Sequence, residues 1–138
     1  FYPIKMVKDS KKIEWILRVA LFGEFLGHGI FALQLKARFI EMLIASFGFV
    51  GVTLTTGVAN NIMYVIGGAD ILTAIFALVF PFRLLLVWAS VWAFSTALAR
   101  PIAGDPLWDF VERWANVGVP LALLYVRGLP RKMRDWFR

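Results

Sequence analysis

The sequence predicts an all-helical integral membrane protein, built as a four-helix bundle with an additional interfacial or re-entrant helix between the first and second spans. Of the 138 residues, 60% are hydrophobic and only 17% are charged, with a mean hydropathy of +0.73. Globular domains are roughly 45–50% apolar, so these values argue against a soluble enzyme. The apolar residues also fall into runs close to the roughly 20 residues that cross a bilayer as a helix.

Four of these runs are predicted to span the membrane. A basic segment opens the chain, and the first apolar run follows it at Ile13. A shorter run carries Gly48 and Gly51 and has almost no connector before it, which favours an interfacial or re-entrant helix. The predicted spans are residues 13–35, 60–80, 82–99 and 110–126, with the interfacial or re-entrant segment at 39–55, all within one transmembrane domain, 1–138.

The distribution of basic residues decides between four and five spans. Lysine and arginine near span ends accumulate on the cytoplasmic side of a membrane. Four spans put both tails on that side, which then carries ten basic residues against three on the other, whereas five spans would separate the two basic tails. We therefore expect both termini in the cytoplasm. Topology and anionic lipid headgroups account for the net charge of +6, so nucleic acid is not required as a partner.

Cysteine is absent from the sequence, and histidine occurs once. The chain can therefore form neither a disulfide nor a cysteine-ligated cluster, and a haem held by two histidines of one chain is excluded, so we predict no metal site. His28 lies between Gly27 and Gly29, which would admit a flat macrocycle such as haem or chlorophyll. We favour a hydrogen-bonding or proton-exchanging imidazole over that ligation.

Ionisable residues inside spans cost about 2.5–3.5 kcal/mol on insertion scales, so each one marks a candidate site. Glu24 and His28 share one face of the first span, and Asp70 shares a face of the second span with small residues. Counting residues from the span ends places Glu24 and Asp70 near the midplane, with His28 at the level of Arg113 and Asn116. We predict one cavity open to the outer side, where Glu24, His28 and Asp70 handle protons or quinone and Arg113 and Asn116 contact the ligand.

Two tryptophans of the third span complete the predicted cofactor contacts. Trp88 and Trp92 lie one turn apart, where they could flank a quinone ring. The alternative for every candidate is structural: the tryptophans pack helices together, Arg113 pairs with Glu112 or Asp109, and the buried carboxyl groups form hydrogen bonds between helices.

Three segments of the chain carry a family resemblance. RVALFGEFLGHGIFALQ contains Arg18 and the pair His28 and Gly29, YVIGGADILTAIFALV has Asp70 following a glycine, and LARPIAGDPLWDFVERWANVGVPLALL closes the pattern. Over about residues 13–126 the chain resembles the DoxX-like family of small four-span bacterial membrane proteins. The resemblance implies a four-helix bundle in the bacterial cytoplasmic (inner) membrane and, in some members, redox partners, including those of quinone-linked sulfur oxidation.

These observations leave three functional hypotheses. The first is a membrane subunit of a redox or respiratory complex that handles quinone or protons for a partner oxidoreductase, at most as one subunit of that enzyme. The second is a non-catalytic scaffold or assembly subunit. The third, a small transporter, is disfavoured because no inverted repeat is visible. We therefore predict quinone as cofactor, and membrane lipids, partner subunits or further copies of the chain as partners.

Overall fold

The computed structural model describes residues 3–138, with side chains described from residue 9 onward, and each regular element in this range is helical. This confirms the all-helical prediction. The elements are, in chain order, α1 (Pro3–Leu33), α2 (Ala37–Phe49), α3 (Thr56–Val79), α4 (Arg83–Ile102), α5 (Leu107–Val111) and α6 (Trp114–Arg127), followed by a 3₁₀ helix (Met133–Phe137).

Three helices of the described chain are long and apolar enough to cross a membrane, namely α1 over Asp9–Leu33, α3 and α4. The 13 residues of α2 make a helix of about 20 Å, which is shorter than a hydrocarbon core of about 30 Å. The 14 residues of α6 are similarly short. The closing segment approaches the length of a span only when α5 and α6 are taken together.

The helices pack as two pairs joined side by side. α1 lies along α3, α4 lies along α6, and contacts between α1 and α6 join the pairs, while α2 lies against α3 and α4. A larger core contains Leu21 and Phe25 of α1 together with buried side chains of α3, α4 and α6. A smaller core contains Ala32, Ile40 and Met63, from α1, α2 and α3. No residue of α2 belongs to the larger core.

Two glycines allow α1 and α3 to approach each other closely. A Cβ atom on Gly67 would lie 2.8 Å from Cγ of Leu33 and 3.1 Å from its backbone nitrogen, and a Cβ on Gly29 would lie 2.8 Å from Cδ1 of Ile71. Neither position leaves room for a larger side chain. This agrees with the expectation that the small residues beside Asp70 admit a neighbouring helix.

α1 is longer than the predicted span at its start and shorter at its end. The sequence analysis placed a basic flank before Ile13, but the helix begins at Pro3, because proline suits a first helical turn and no helix breaker follows it. After Leu33 the chain turns through Leu35, whose φ of 53° is left-handed, and the N–H of Lys36 donates to the carbonyl of Phe31 over 3.1 Å. α2 therefore follows almost directly.

The closing segment differs from the predicted continuous helix at 110–126, and that prediction is wrong in one respect. The helix is interrupted at Glu112 and Arg113, where the N–H of Arg113 donates to the carbonyl of Phe110 in a tighter turn. The side chain of Arg113 also donates to the carbonyl of Asp109 over 2.9 Å. The closing segment is therefore divided into two helices, α5 and α6.

A charged network joins α1, α3 and α6 at the end of the bundle where α3 finishes. Arg18 is buried, and its Nε donates to the carbonyl of Leu78 over 3.0 Å, which satisfies an acceptor in the last turn of α3. Glu14 lies 3.6 Å from Arg18 and 3.2 Å from Arg127. The Arg18 guanidinium also lies 4.1 Å from the ring centre of Trp15. One arginine thus connects two helices and a carboxylate.

Candidate functional site

A cavity of about 220 Å³ lies among α1, α2, α3 and α4, towards the end of the bundle where α2 packs. Its walls are mostly apolar or aromatic, with Met63 and Ile66 from α3 and Ala99 from α4. Cavities with this character, in which a few polar groups are set among apolar walls, are typical of sites for small apolar molecules and cofactors.

The charged, imidazole and indole side chains of the lining come from three helices. His28 of α1, Asp70 of α3 and Trp92 of α4 all line the cavity, and Arg100 stands near the end of α4. Trp92 donates from Nε1 to Oδ1 of Asp70 over 3.0 Å, and Asp70 is only 3% exposed. The structure therefore brings together two of the three predicted proton or quinone residues and one of the two predicted tryptophans.

Glu24 and Trp88 do not line this cavity. Glu24 is half-buried on α1, near enough to Asp70 for the two charges to interact. Trp88 is 41% exposed and stacks on Trp92, with ring centres 5.4 Å apart and ring planes 13° apart. Trp88 thus supports the ring that meets the cavity and does not itself meet it.

Arg113 and Asn116 also lie outside the cavity lining. Arg113 donates from Nη1 to Oε1 of Glu112 over 2.7 Å, so the structural alternative describes this residue better than a ligand contact. Asn116 is half-buried near the start of α6. The break before α6 changes the helical spacing between Glu112 and Asn116, and Arg113 still lies near enough to His28 for its charge to act on the imidazole.

Arg100 is a lining residue that the sequence analysis missed, because it treated this arginine only as a charge outside the third span. The spacing held a signal, since Trp92, Thr96 and Arg100 recur every four residues and therefore share one face of α4. Nε of Arg100 is buried and has no hydrogen-bond partner among the described residues. A buried donor without an acceptor is costly, and a ligand oxygen that reached this nitrogen would satisfy it.

α2 forms a wall of the cavity, a role that the sequence analysis did not assign to it. Its residues Phe39, Met42, Leu43, Ser46 and Phe47 line the cavity, and they recur at the spacing of one helical face. The Phe39 ring packs edge-on to the His28 imidazole, with ring centres 6.0 Å apart.

The start of α2 is fixed by a polar contact with the loop after α4. Arg38 donates to the carboxylate of Asp105 and, over 3.4 Å, to the carbonyl of Ala103. Arg38 also donates to Oε2 of Glu41 within α2, over 2.9 Å. This cluster holds the covering helix in place at one end.

Positive charge surrounds the histidine at this end of the bundle. Lys36, Arg100 and Arg113 lie near enough to His28 for their charges to act on the imidazole. The arrangement can offer hydrogen-bond donors to a ligand oxygen near Arg100, and the pair of Asp70 and Trp92 supplies a carboxyl group deeper in the cavity. Within residues 9–138, no three histidine, cysteine, aspartate or glutamate side chains are grouped so that they could hold a metal ion.

Comparison of the chain with protein-family models, curated proteins and solved structures gives no match.

Proposed function

We propose that the chain is a four-span membrane subunit of the DoxX-like type that binds a quinone in the cavity and exchanges protons with it for a partner oxidoreductase. The observation that carries this proposal is an apolar, aromatic-walled cavity lined by Arg100, whose buried Nε has no hydrogen-bond partner among the described residues. A quinone ring fits this chemistry because it is flat and apolar, and its carbonyl oxygens accept hydrogen bonds.

The cavity residues and the partner oxidoreductase would divide the reduction of a quinone between them. Reduction of a quinone takes up two electrons and two protons, and the chain has side chains suited only to the protons. Asp70, bonded to Trp92 over 3.0 Å, and His28 are groups that can hold and release a proton inside the bundle. The electrons would come from the partner, because a sequence with no cysteine and one histidine cannot hold the common electron-transfer clusters.

Quinone binding is tested with the purified chain and ubiquinone-1 in equilibrium dialysis. We expect Arg100→Gln to weaken binding about tenfold or more, because a hydrogen bond from a charged donor contributes roughly 1.5–3 kcal/mol. Arg113→Gln is the matched control, because it removes the same charge close to His28 from a residue outside the cavity lining. We expect this variant to change the affinity for ubiquinone-1 by less than about threefold. Absence of binding by the parent protein, or equal losses in both variants, would contradict the proposal.

The four-span arrangement is also part of the proposal. Arg83, Arg127 and the basic tail lie at one end of the bundle, α2 is shorter than a hydrocarbon core, and α5 and α6 taken together approach the length of a span. We expect alkaline phosphatase fused after Arg138 to be inactive and a fluorescent protein at the same position to be bright in bacteria. The reverse result would place the C-terminus outside the cytoplasm and favour an odd number of spans.

A scaffold or assembly subunit is the second candidate function. The observation that favours it is that Glu24, Arg113 and Asn116 do not line the cavity, and Arg113 pairs with Glu112. Native purification in mild detergent separates the two candidates. Quinone isolated together with a dehydrogenase supports the first candidate, whereas a protein partner without quinone supports the second. The prediction of haem or chlorophyll on His28 is tested in the same sample by its visible absorbance.

A further inference from the structure

The C-terminal segment, residues 128–138, is held against the beginning of α4 by Arg83. The backbone N–H of Arg83 donates to the carbonyl of Arg138 over 3.1 Å. Its guanidinium donates to the carbonyls of Gly128, Arg138 and Asp135, the last two over 3.1 and 3.3 Å. Gly128, with a φ of 88°, allows the chain to turn back after α6. The segment is therefore fixed against the end of the bundle.

The C-terminal segment exposes large apolar side chains despite being fixed in place. Leu129 is 54% exposed, Met133 81% and Phe137 61%, while Trp136 is half-buried. The segment begins where α6 ends and lies beside Arg83, the first residue of the membrane-length helix α4. Apolar and aromatic side chains at this level, where hydrocarbon meets headgroups, are typical of interfacial segments.

Three exposed basic side chains alternate with these apolar ones. They belong to Arg131, Lys132 and Arg134, and none of them forms an ion pair with an acidic side chain among residues 9–138. The acidic residue of the segment is Asp135, and its Oδ2 accepts the backbone N–H groups of Arg131 and Lys132 over 3.1 and 3.0 Å. These hydrogen bonds lower the pKa of Asp135, and the nearby charges of Arg138 and Arg134 lower it further.

We propose that the C-terminal segment is a binding site for the headgroups of anionic phospholipids. Arg131, Lys132 and Arg134 contact the phosphates, while the exposed apolar side chains enter the boundary of the acyl chains. The charge complementarity and the position at the membrane interface carry this proposal. It does not depend on quinone binding, because the cavity residues take no part in it.

The test uses the full chain in nanodiscs of phosphatidylcholine with a minor fraction of phosphatidylglycerol, followed by native mass spectrometry of the retained lipids. We expect the parent protein to retain phosphatidylglycerol preferentially. Arg131→Gln combined with Lys132→Gln should reduce that preference about tenfold or more, since basic side chains near an anionic surface each contribute substantially to the attraction. Replacement of Arg131 and Arg134 by lysine keeps the charge and should leave the preference within about twofold.

The matched control is Lys11→Gln combined with Lys12→Gln. These two neighbouring residues are exposed on α1, and their replacement removes the same charge as the test variant. A clearly smaller effect of the control supports a site in the C-terminal segment. Equal losses in the two double variants, or no preference for phosphatidylglycerol in the parent protein, would overturn the proposal.

Discussion

Arg18→Met is expected to lower the free energy of unfolding by about 2–4 kcal/mol. The guanidinium donates to the carbonyl of Leu78, neutralises part of the charge of Glu14 and lies against the ring of Trp15. Methionine has similar length, but it leaves the acceptor at the end of α3 without its donor. Glu14 keeps Arg127 as a partner, so the loss is smaller than for a fully orphaned buried charge.

Unfolding of the Arg18→Met protein is measured by titration with sodium dodecyl sulfate in mixed micelles, with tryptophan fluorescence as the signal. Lys12→Met is the control, since it makes the equivalent charge change at an exposed position on the same helix, and it should change stability by less than about 0.5 kcal/mol. Arg18→Lys should fall between the parent and Arg18→Met, because one ammonium cannot reproduce the planar fork of donors. Equal stability of Arg18→Met and the parent would show that the network does not hold the helices together.

Gly67→Ala is expected to destabilise the protein by about 1–3 kcal/mol, because the added methyl group meets the side chain and the backbone nitrogen of Leu33. The adjacent substitution, Gly68→Ala, adds the same methyl group at a position with no atom of another segment within 4 Å. There the better helix propensity of alanine should leave stability unchanged or raise it by up to about 1 kcal/mol.

Both alanine variants are measured in the same unfolding titration. Since both residues lie in the middle of α3, the contribution of helix propensity is similar in the two variants, and the difference between them reports the packing against α1. The expected result is opposite signs for the two changes in the free energy of unfolding. If Gly67→Ala and Gly68→Ala behave alike, α1 and α3 do not approach each other as closely as the structure indicates.

The parts of the fold that could be predicted from sequence are those fixed by local periodicity. Asp70 was assigned to a face with small residues, and Gly67, Ala74 and Ala77 are indeed buried on that face. The helical regions up to Ala99 were located within a few residues, apart from the extra turns at the start of α1 and the end of α2, which lies at Phe49 and not at residue 55. Spacing along one helix is sufficient for such conclusions, because a helix repeats regularly.

The parts that could not be predicted depend on where helices break and on which neighbours they meet. The interruption at Glu112 and Arg113 has no proline or glycine to announce it, so it could not be located from the spacing of residues along the last predicted span. Arg100 was overlooked because α4 continues to Ile102, beyond the predicted end at Ala99, and keeps its arginine on the same face as Trp92. Likewise, the amphipathic spacing of α2 predicts which face of this helix is buried, but it does not predict which helices that face contacts.

The division of the interior into two cores has a consequence for how the cavity can open. α2 covers the cavity, yet it contributes only to the smaller core, and its first turn is held by Arg38 through Asp105 and Ala103. α1 packs directly against α3, and α4 packs directly against α6, so neither contact depends on α2. Outward movement of α2 would therefore widen the cavity while these two helix pairs stay in contact, so the opening of the cavity and the stability of the bundle depend on different contacts.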